Sequence, residues 1–270
     1  MKYIKVKNNS ASAIIALQGA HIIEYAPNDE ESLLWLSDES DFELGKAIRG
    51  GVPICWPWFG MHENKELPQH GFARVSLFEH IYTKELDADT TEVLLRLKHS
   101  QESLKLWAYK FKLDMKITIS KELHMQLTTK NTDTKPFKIT QALHSYFTIS
   151  DINDIRIIGL DEHTYFDALS GDTDIQDGDI LFDSELDRVY KDVKKDIVLL
   201  DEHKIVDIEN QGNSSVVVWN PWIDKCKRMS GMSDDAYKEF VCIESANAMD
   251  DFKVIEPNSS HSLKVTISKG

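Results

Sequence analysis

FKLDMKITIS, residues 111–120, alternates side chains one by one: Phe111, Leu113, Met115, Ile117 and Ile119 share one face, and Lys112, Asp114, Lys116 and Thr118 the other. A period of two marks a half-buried β-strand, because successive side chains leave a pleated backbone on opposite faces. LHMQLT continues the alternation through Leu123, Met125 and Leu127. Outward from this stretch, similar short runs recur at SAIIAL, HIIEY, EVLLRLK, FKITQALHSYFTI, NDIRIIGL, SSVVVWN, EFVCIES and HSLKVTIS. Asn, Asp, Gly and Pro fill the gaps, as in NTDTKP and ENQGNSS. No amphipathic helix of ordinary length competes with these runs, and only short helices near MSDDAYKEF are expected. A parallel βαβ fold would need intervening helices of roughly 10–15 residues. The pattern predicts an all-β chain: one large antiparallel β-sandwich domain over residues 1–270, with a few short helices.

The 270 residues, 41% hydrophobic and 28% charged, are enough to bury a large core. No run approaches the roughly 18 apolar residues of a membrane helix, and MKYIKVKNNSASAII lacks the apolar stretch of a secretory signal. Cys55, Cys226 and Cys242 cannot all pair and have no metal-ligand spacing, so a reduced, cytoplasmic setting is expected. No feature specifies an oligomer, and a monomer is expected. The formal net charge of −14 argues against a nucleic-acid partner. The same charge repels a phosphorylated small molecule at long range, so any such ligand requires a local cluster of cations.

Five segments carry residues that plain strand-and-turn roles do not explain. IRGGVPICWPWFG, residues 48–60, puts Pro53, Trp56, Pro57, Trp58 and Phe59 in one loop, with Arg49 just before Gly50-Gly51. Small residues there let a ligand approach the backbone; the alternative is an apolar plug with Arg49 solvated outside. LPQHGFAR, residues 67–74, sets Gln69, His70 and Arg74 around a glycine turn. In QALHSYFTI, alternation places Leu143, Ser145, Phe147 and Ile149 on one face, and turns His144 to the other with Thr140, Ala142, Tyr146 and Thr148. In FDSELDRVY, residues 182–190, Asp187 and Arg188 are either ligand groups or a solvated pair. In FVCIESANA, Glu244 follows Phe240, Val241, Cys242 and Ile243, a run expected to be buried on both sides. An unpaired carboxyl there loses hydration and its pKa rises, which is how a general base working at neutral pH is tuned. The alternative is a strand-end glutamate reaching solvent past Ser245.

Together, GGVPICWPWFG, HGFAR, ALHSYF, LDRVY, VVWNPW (residues 217–222) and VCIESAN resemble, in order and across residues 49–247, the hexose-6-phosphate mutarotases of the aldose 1-epimerase superfamily. The resemblance implies a galactose mutarotase-like sandwich with a concave sugar-binding face. It implies that His144 and Glu244 are the catalytic pair, and that Arg49, Gln69, Arg74 and Asp187 contact the substrate. His70 matches a further histidine that lies near the sugar ring oxygen in the wider superfamily. RMSGMSDDAYKEF, before the glutamate strand, departs from the family pattern.

The implied chemistry suits these residue types. Exchanging anomers requires taking the proton from the C1 hydroxyl and giving one to the ring oxygen. One carboxylate and one imidazole suffice, with no cofactor or metal. Asp187 and Gln69 would orient hydroxyls, and Trp56, Trp58 or Trp222 would face the sugar's C–H surface. Arg49 and Arg74 would receive a phosphate through their forked donors. Three other readings stand beside this one: a non-catalytic carbohydrate-binding protein, a glycoside hydrolase or lyase, and a metal enzyme using His62, His70 and His144.

Overall fold

The computed structural model describes residues 1–194 and 196–270. Phe111–Ile119 is a strand whose alternate residues are buried, as its sequence predicts, and Thr91–Lys98 and Glu122–Asn131 pair antiparallel to either side of it. Phe111, Leu113, Met115, Ile117 and Ile119 are each at most 1% exposed. At about 1.5–3 kcal/mol per fully buried large side chain, these five contribute roughly 10 kcal/mol to the core. On the outer face, Arg96 grips Asp114 through two bonds of 2.6 and 2.9 Å, and Lys112 lies 3.2 Å from the same carboxylate. Opposite charges facing each other across strands oppose a one-residue slip, which would bury them.

These strands belong to an eight-stranded sheet that runs from Arg156–Ile158 through Ile197–Asp201, Lys204–Gln211 and Ser260–Lys269 to Glu122–Asn131, ending at Glu79–Glu85. A second eight-stranded sheet packs on it across the main core. From one edge it holds Thr173–Ile175, Thr164–Asp167, Leu186–Tyr190, Ser215–Asn220, Phe240–Asn247, Gln141–Leu143 and Ile54–Cys55; Tyr146–Thr148 also pairs with Phe240–Asn247. Three N-terminal strands and a two-stranded ladder complete the fold. All pairings among the named strands are antiparallel. The helices are short: Gln101–Leu106 has six residues, and a 3-10 turn at Ala236–Lys238 falls inside MSDDAYKEF.

The second sheet has two apolar faces. Tyr190, Val216, Val218, Val241 and Ile243 join the main core, whereas Cys55, Ala142, Val189, Val217 and Ala246 form a separate small cluster on the far side. Glu244 lies on that far side, in register with Val217. All three cysteines are buried and free.

Two expectations need correction. FKITQALHSYFTI is three short strands, with His144 and Ser145 in a break between Gln141–Leu143 and Tyr146–Thr148. The chain leaves the ladder there, and the His144 N–H instead bonds to the Pro53 carbonyl at 3.0 Å. Gly50-Gly51 serves packing rather than ligand approach. Gly51 has φ +61°, and a Cβ on it would lie 2.2 Å from the Ile22 carbonyl oxygen.

Asn247 locks the strand that carries Glu244. Its Oδ1 accepts from Gln141 Nε2 at 2.9 Å and His261 Nε2 at 3.0 Å, and its Nδ2 donates to the Gly212 carbonyl at 3.0 Å and to Asp251 at 2.9 Å. Asn247→Leu keeps the volume but strands four polar partners, one of them, Gln141, in a fully buried setting. Urea unfolding is expected to show a loss of about 3–5 kcal/mol at unchanged m-value; a loss below about 1 kcal/mol would show that the network is not what fixes this strand.

Candidate active site

His144, Glu244, Arg49, Gln69, His70, Arg74 and Asp187, the seven residues singled out in the sequence, all line one cavity of about 450 Å³ on the far face of the second sheet. Glu244 forms part of its floor. Its neighbours along the strand are buried on both faces, so the carboxyl is 2% exposed rather than solvated past Ser245. His144 Nε2 is 3.3 Å from Glu244 Oε1, whereas Glu244 Oε2 and His144 Nδ1 are buried with no partner among the described residues. Burial above all drives both groups toward their uncharged forms. The carboxyl rises well above the usual carboxylate range, and the imidazole falls well below its own, helped by the charges of Arg74 and Arg49. Both shifts favour a resting pair in which neither group is charged.

His70 sits at φ +64°, and its Nδ1 accepts the Gly60 N–H at 3.1 Å. The neutral ring must then carry its proton on Nε2 as a donor. Desolvation, with Arg74 and Arg49 nearby, lowers its pKa to about 3. Arg74 Nη2 donates to the Gln69 carbonyl at 2.8 Å, and Arg49 Nε to the Ser230 carbonyl at 3.4 Å. Both guanidiniums are thus held by main-chain oxygens.

Asp187 and Arg188 do not pair. Alternation sends Asp187 into the cavity and Arg188 to the opposite face, where it bonds Gln176 at 3.0 Å and lies 3.8 Å from Asp167. Asp187 instead lies 3.8 Å from Lys225, whose ammonium is 2.7 Å from Glu185. Burial pushes the Asp187 carboxyl up, and Lys225 opposes that rise.

A model of the family described as aldose 1-epimerase matches residues 2–268. The chain belongs to the aldose 1-epimerase family. A relative from Escherichia coli strain K12, provisionally named a glucose-6-phosphate 1-epimerase, is 36% identical over 262 residues, covering 96% of this chain and 87% of the relative. One from Cenchrus ciliaris with the same provisional name is 36% identical over 252 residues, covering 87% and 74%. A Salmonella typhimurium crystal structure, provisionally described as a mutarotase, superposes with a TM-score of 0.93 at 33% identity, covering 99% of this chain and 90% of that one.

The aromatic wall of this epimerase is not the one expected. Trp56 is fully buried and donates to Thr129 Oγ1 at 2.9 Å, Trp58 packs against Phe72 and His62, and Trp222 packs against Tyr237. The cavity is lined instead by Phe59, Tyr146 and Trp219, together with Lys225 and Met229. Tyr146 stacks on His144 at 4.8 Å with the rings 8° apart, and Trp219 meets His144 edge-on at 5.9 Å. The face beside His144 is therefore aromatic rather than small and hydroxylic. Alternation in VVWNPW, with Val217 and Trp219 on one side, carried the signal for Trp219. Nothing in the sequence marked Lys225, which reaches the cavity from the short helix Trp222–Cys226. Met229 and Ser230 belong to the divergent RMSGMSDDAYKEF segment and supply that wall. Among the described residues no group of three or more His, Cys, Asp or Glu is arranged to hold a metal ion, and His62 lies outside the cavity lining.

Behind the site, His21 Nε2 is 2.7 Å from the Gly50 carbonyl and steadies the turn next to Arg49. Burial lowers its pKa from 6.5 to about 4. Below pH 6.5 the unfolded chain takes up a proton that the folded chain refuses. Stability from His21 is thus fully present above that pH and lost as pH falls toward 4. His21→Gln retains a donor but does not titrate. Unfolding free energies compared at pH 7 and pH 5 are expected to shift by about 2 kcal/mol in favour of the variant; a pH-independent difference would show that His21 titrates normally in the fold.

Proposed function

We propose that this epimerase interconverts the α and β anomers of a hexose 6-phosphate, glucose 6-phosphate above all, in one domain spanning the chain, with His144 and Glu244 as its acid–base pair. The reading is carried by the cavity lining. A chain of net charge −14 places Arg49, Arg74 and Lys225 around the buried pair, against Asp187 and Glu244 as the acidic residues there. The provisional names of the 36% identical relatives agree with a phosphorylated substrate.

The chemistry needs one acid and one base within reach of the sugar's C1 hydroxyl and ring oxygen, and a pair sharing one proton supplies both. Proton transfer across the 3.3 Å contact converts neutral imidazole and carboxylic acid into imidazolium and carboxylate. Glu244 then takes the O1 proton while His144 protonates O5; the C1–O5 bond breaks and C1=O forms. Rotation about C1–C2 and the reverse transfers close the ring on the other face, restoring both groups. Burial above all, with Arg74 and Arg49 adding to it, disfavours the imidazolium. A phosphate dianion bound between them offsets those charges and favours the imidazolium, so the phosphorylated sugar readies its own acid. Asp187, beside Lys225, and Gln69 at the rim bond to ring hydroxyls, and His70 Nε2–H offers the ring a neutral donor.

NMR saturation exchange between the anomers of glucose 6-phosphate tests the pair. Glu244→Gln and His144→Asn are each expected to cost about 10²–10⁴ in rate, and the double variant little more than the worse single one. Glu244→Gln exchanging at nearly the parental rate would remove the assignment. If the unaltered protein binds the sugar phosphate yet leaves its exchange at the spontaneous rate, it is a binding protein.

The phosphate assignment is tested separately. A charge-assisted bond is worth about 1.5–3 kcal/mol, or about 10- to 100-fold. Arg49→Ala and Arg74→Ala should lower kcat/KM by that factor for glucose 6-phosphate and far less for glucose, and added salt should weaken the phosphorylated sugar selectively. Equal losses on both sugars would mean that the arginines hold the sugar ring or the loop.

A further inference from the structure

Tyr146 lines the cavity at 3% exposure, and its hydroxyl bonds to no group among the described residues; it is not one of the sealed polar atoms, so it opens to that cavity. A cavity-facing phenol with no protein partner has its donor free for whatever binds there. The ring cannot swing away to find a protein partner. His144 lies flat on it at 4.8 Å, Trp35 stacks at 6.0 Å, Phe240 lies at 5.2 Å, and Trp219 stands edge-on at 6.1 Å. Its one polar atom belongs to a residue of the cavity wall that also holds Arg49, Arg74 and Glu244. Burial above all keeps this phenol protonated, so its hydroxyl is a donor.

The hydrogen-bond inventory of that wall is one-sided. Guanidinium groups only donate, so neither arginine can accept the phenolic proton. Glu244 Oε1 faces His144 at 3.3 Å and is engaged there. Two guanidiniums and a phenol, all donors, thus border the same cavity with few acceptors among them. A sugar hydroxyl both donates and accepts, but a phosphate dianion only accepts and has three free oxygens, so it matches this set best.

Building on the function proposed above, we infer that Tyr146 is a third ligand of the substrate's phosphate, its hydroxyl donating to a phosphate oxygen beside Arg49 and Arg74. The residue thereby joins the two ends of the substrate: its edge reads the phosphate while its face covers the imidazole that works on the sugar ring.

Tyr146→Phe removes the hydroxyl and keeps the stack on His144. Because the hydroxyl bonds to no described protein group, the thermal midpoint should not fall. Calorimetric titration with glucose 6-phosphate is expected to show binding about tenfold weaker, with a matching drop in kcat/KM, and glucose should change less than twofold. Unchanged affinity for glucose 6-phosphate would overturn the inference. So would an equal loss on both sugars, which would place the hydroxyl on the sugar ring. A lowered midpoint with unchanged affinity would make the hydroxyl structural, and would also overturn it. The binding measurement does not depend on turnover, so a protein that bound glucose 6-phosphate through Tyr146 without exchanging its anomers would defeat the mutarotase reading and leave this one standing.

Discussion

A carboxyl group at 2% exposure in the middle of a strand is expensive unless its charge is removed or matched. Glu244 has one side-chain partner for that purpose, the imidazole of His144. Much of the surrounding architecture serves to keep these two groups together and dry. The Phe240–Asn247 strand pairs with Ser215–Asn220 on one side, and with Gln141–Leu143 and Tyr146–Thr148 on the other. The break at His144 falls between those last two strands, opposite Glu244. A continuous strand would occupy that position with ladder bonds; the interruption lets the imidazole reach the carboxyl while its own N–H is satisfied by Pro53.

Electrostatics at the site runs against that of the whole molecule. The net charge of −14 is spread over an exterior screened within about 8–10 Å at physiological salt. Inside the cavity the cations outnumber the ionised acids once Glu244 holds its proton, and low polarisability strengthens each contact. Buried His21 and His144 and half-buried His70 all have lowered proton affinity, for which desolvation is the largest cause. They surround the arginines without adding positive charge, so two guanidiniums can sit close to three imidazoles at modest cost.

The fold was legible because its strands are half-buried. Alternation in Phe111–Ile119 and Glu122–Asn131 follows directly from one wet face and one dry face. Phe240–Asn247, buried on both faces, lacks alternation, and for that reason its lone glutamate stood out. The tryptophans misled for a related reason: Trp56 and Trp58 look like ligand platforms in a loop, but that loop is core, and a side chain of that size at 0% or 8% exposure is filling space. Lys225 was illegible because a five-residue helix leaves no periodicity, and its pairing with Glu185 and Asp187 joins segments about 40 residues apart. Tyr146 was visible on the His144 face, but its unpartnered hydroxyl appears only when every neighbour is in place.

Arg49 and Arg74 are each tethered by a backbone carbonyl, from Ser230 and Gln69 respectively. A carbonyl is supplied by whichever amino acid occupies the position, so the tether constrains the path of the chain and leaves its side chains unconstrained. Side chains over residues 227–235 can therefore change while the guanidinium that Ser230 holds stays where it is. In evolutionary terms, the wall of the cavity is free to drift in composition and to explore new contacts at its rim, with the placement of the two guanidiniums unchanged.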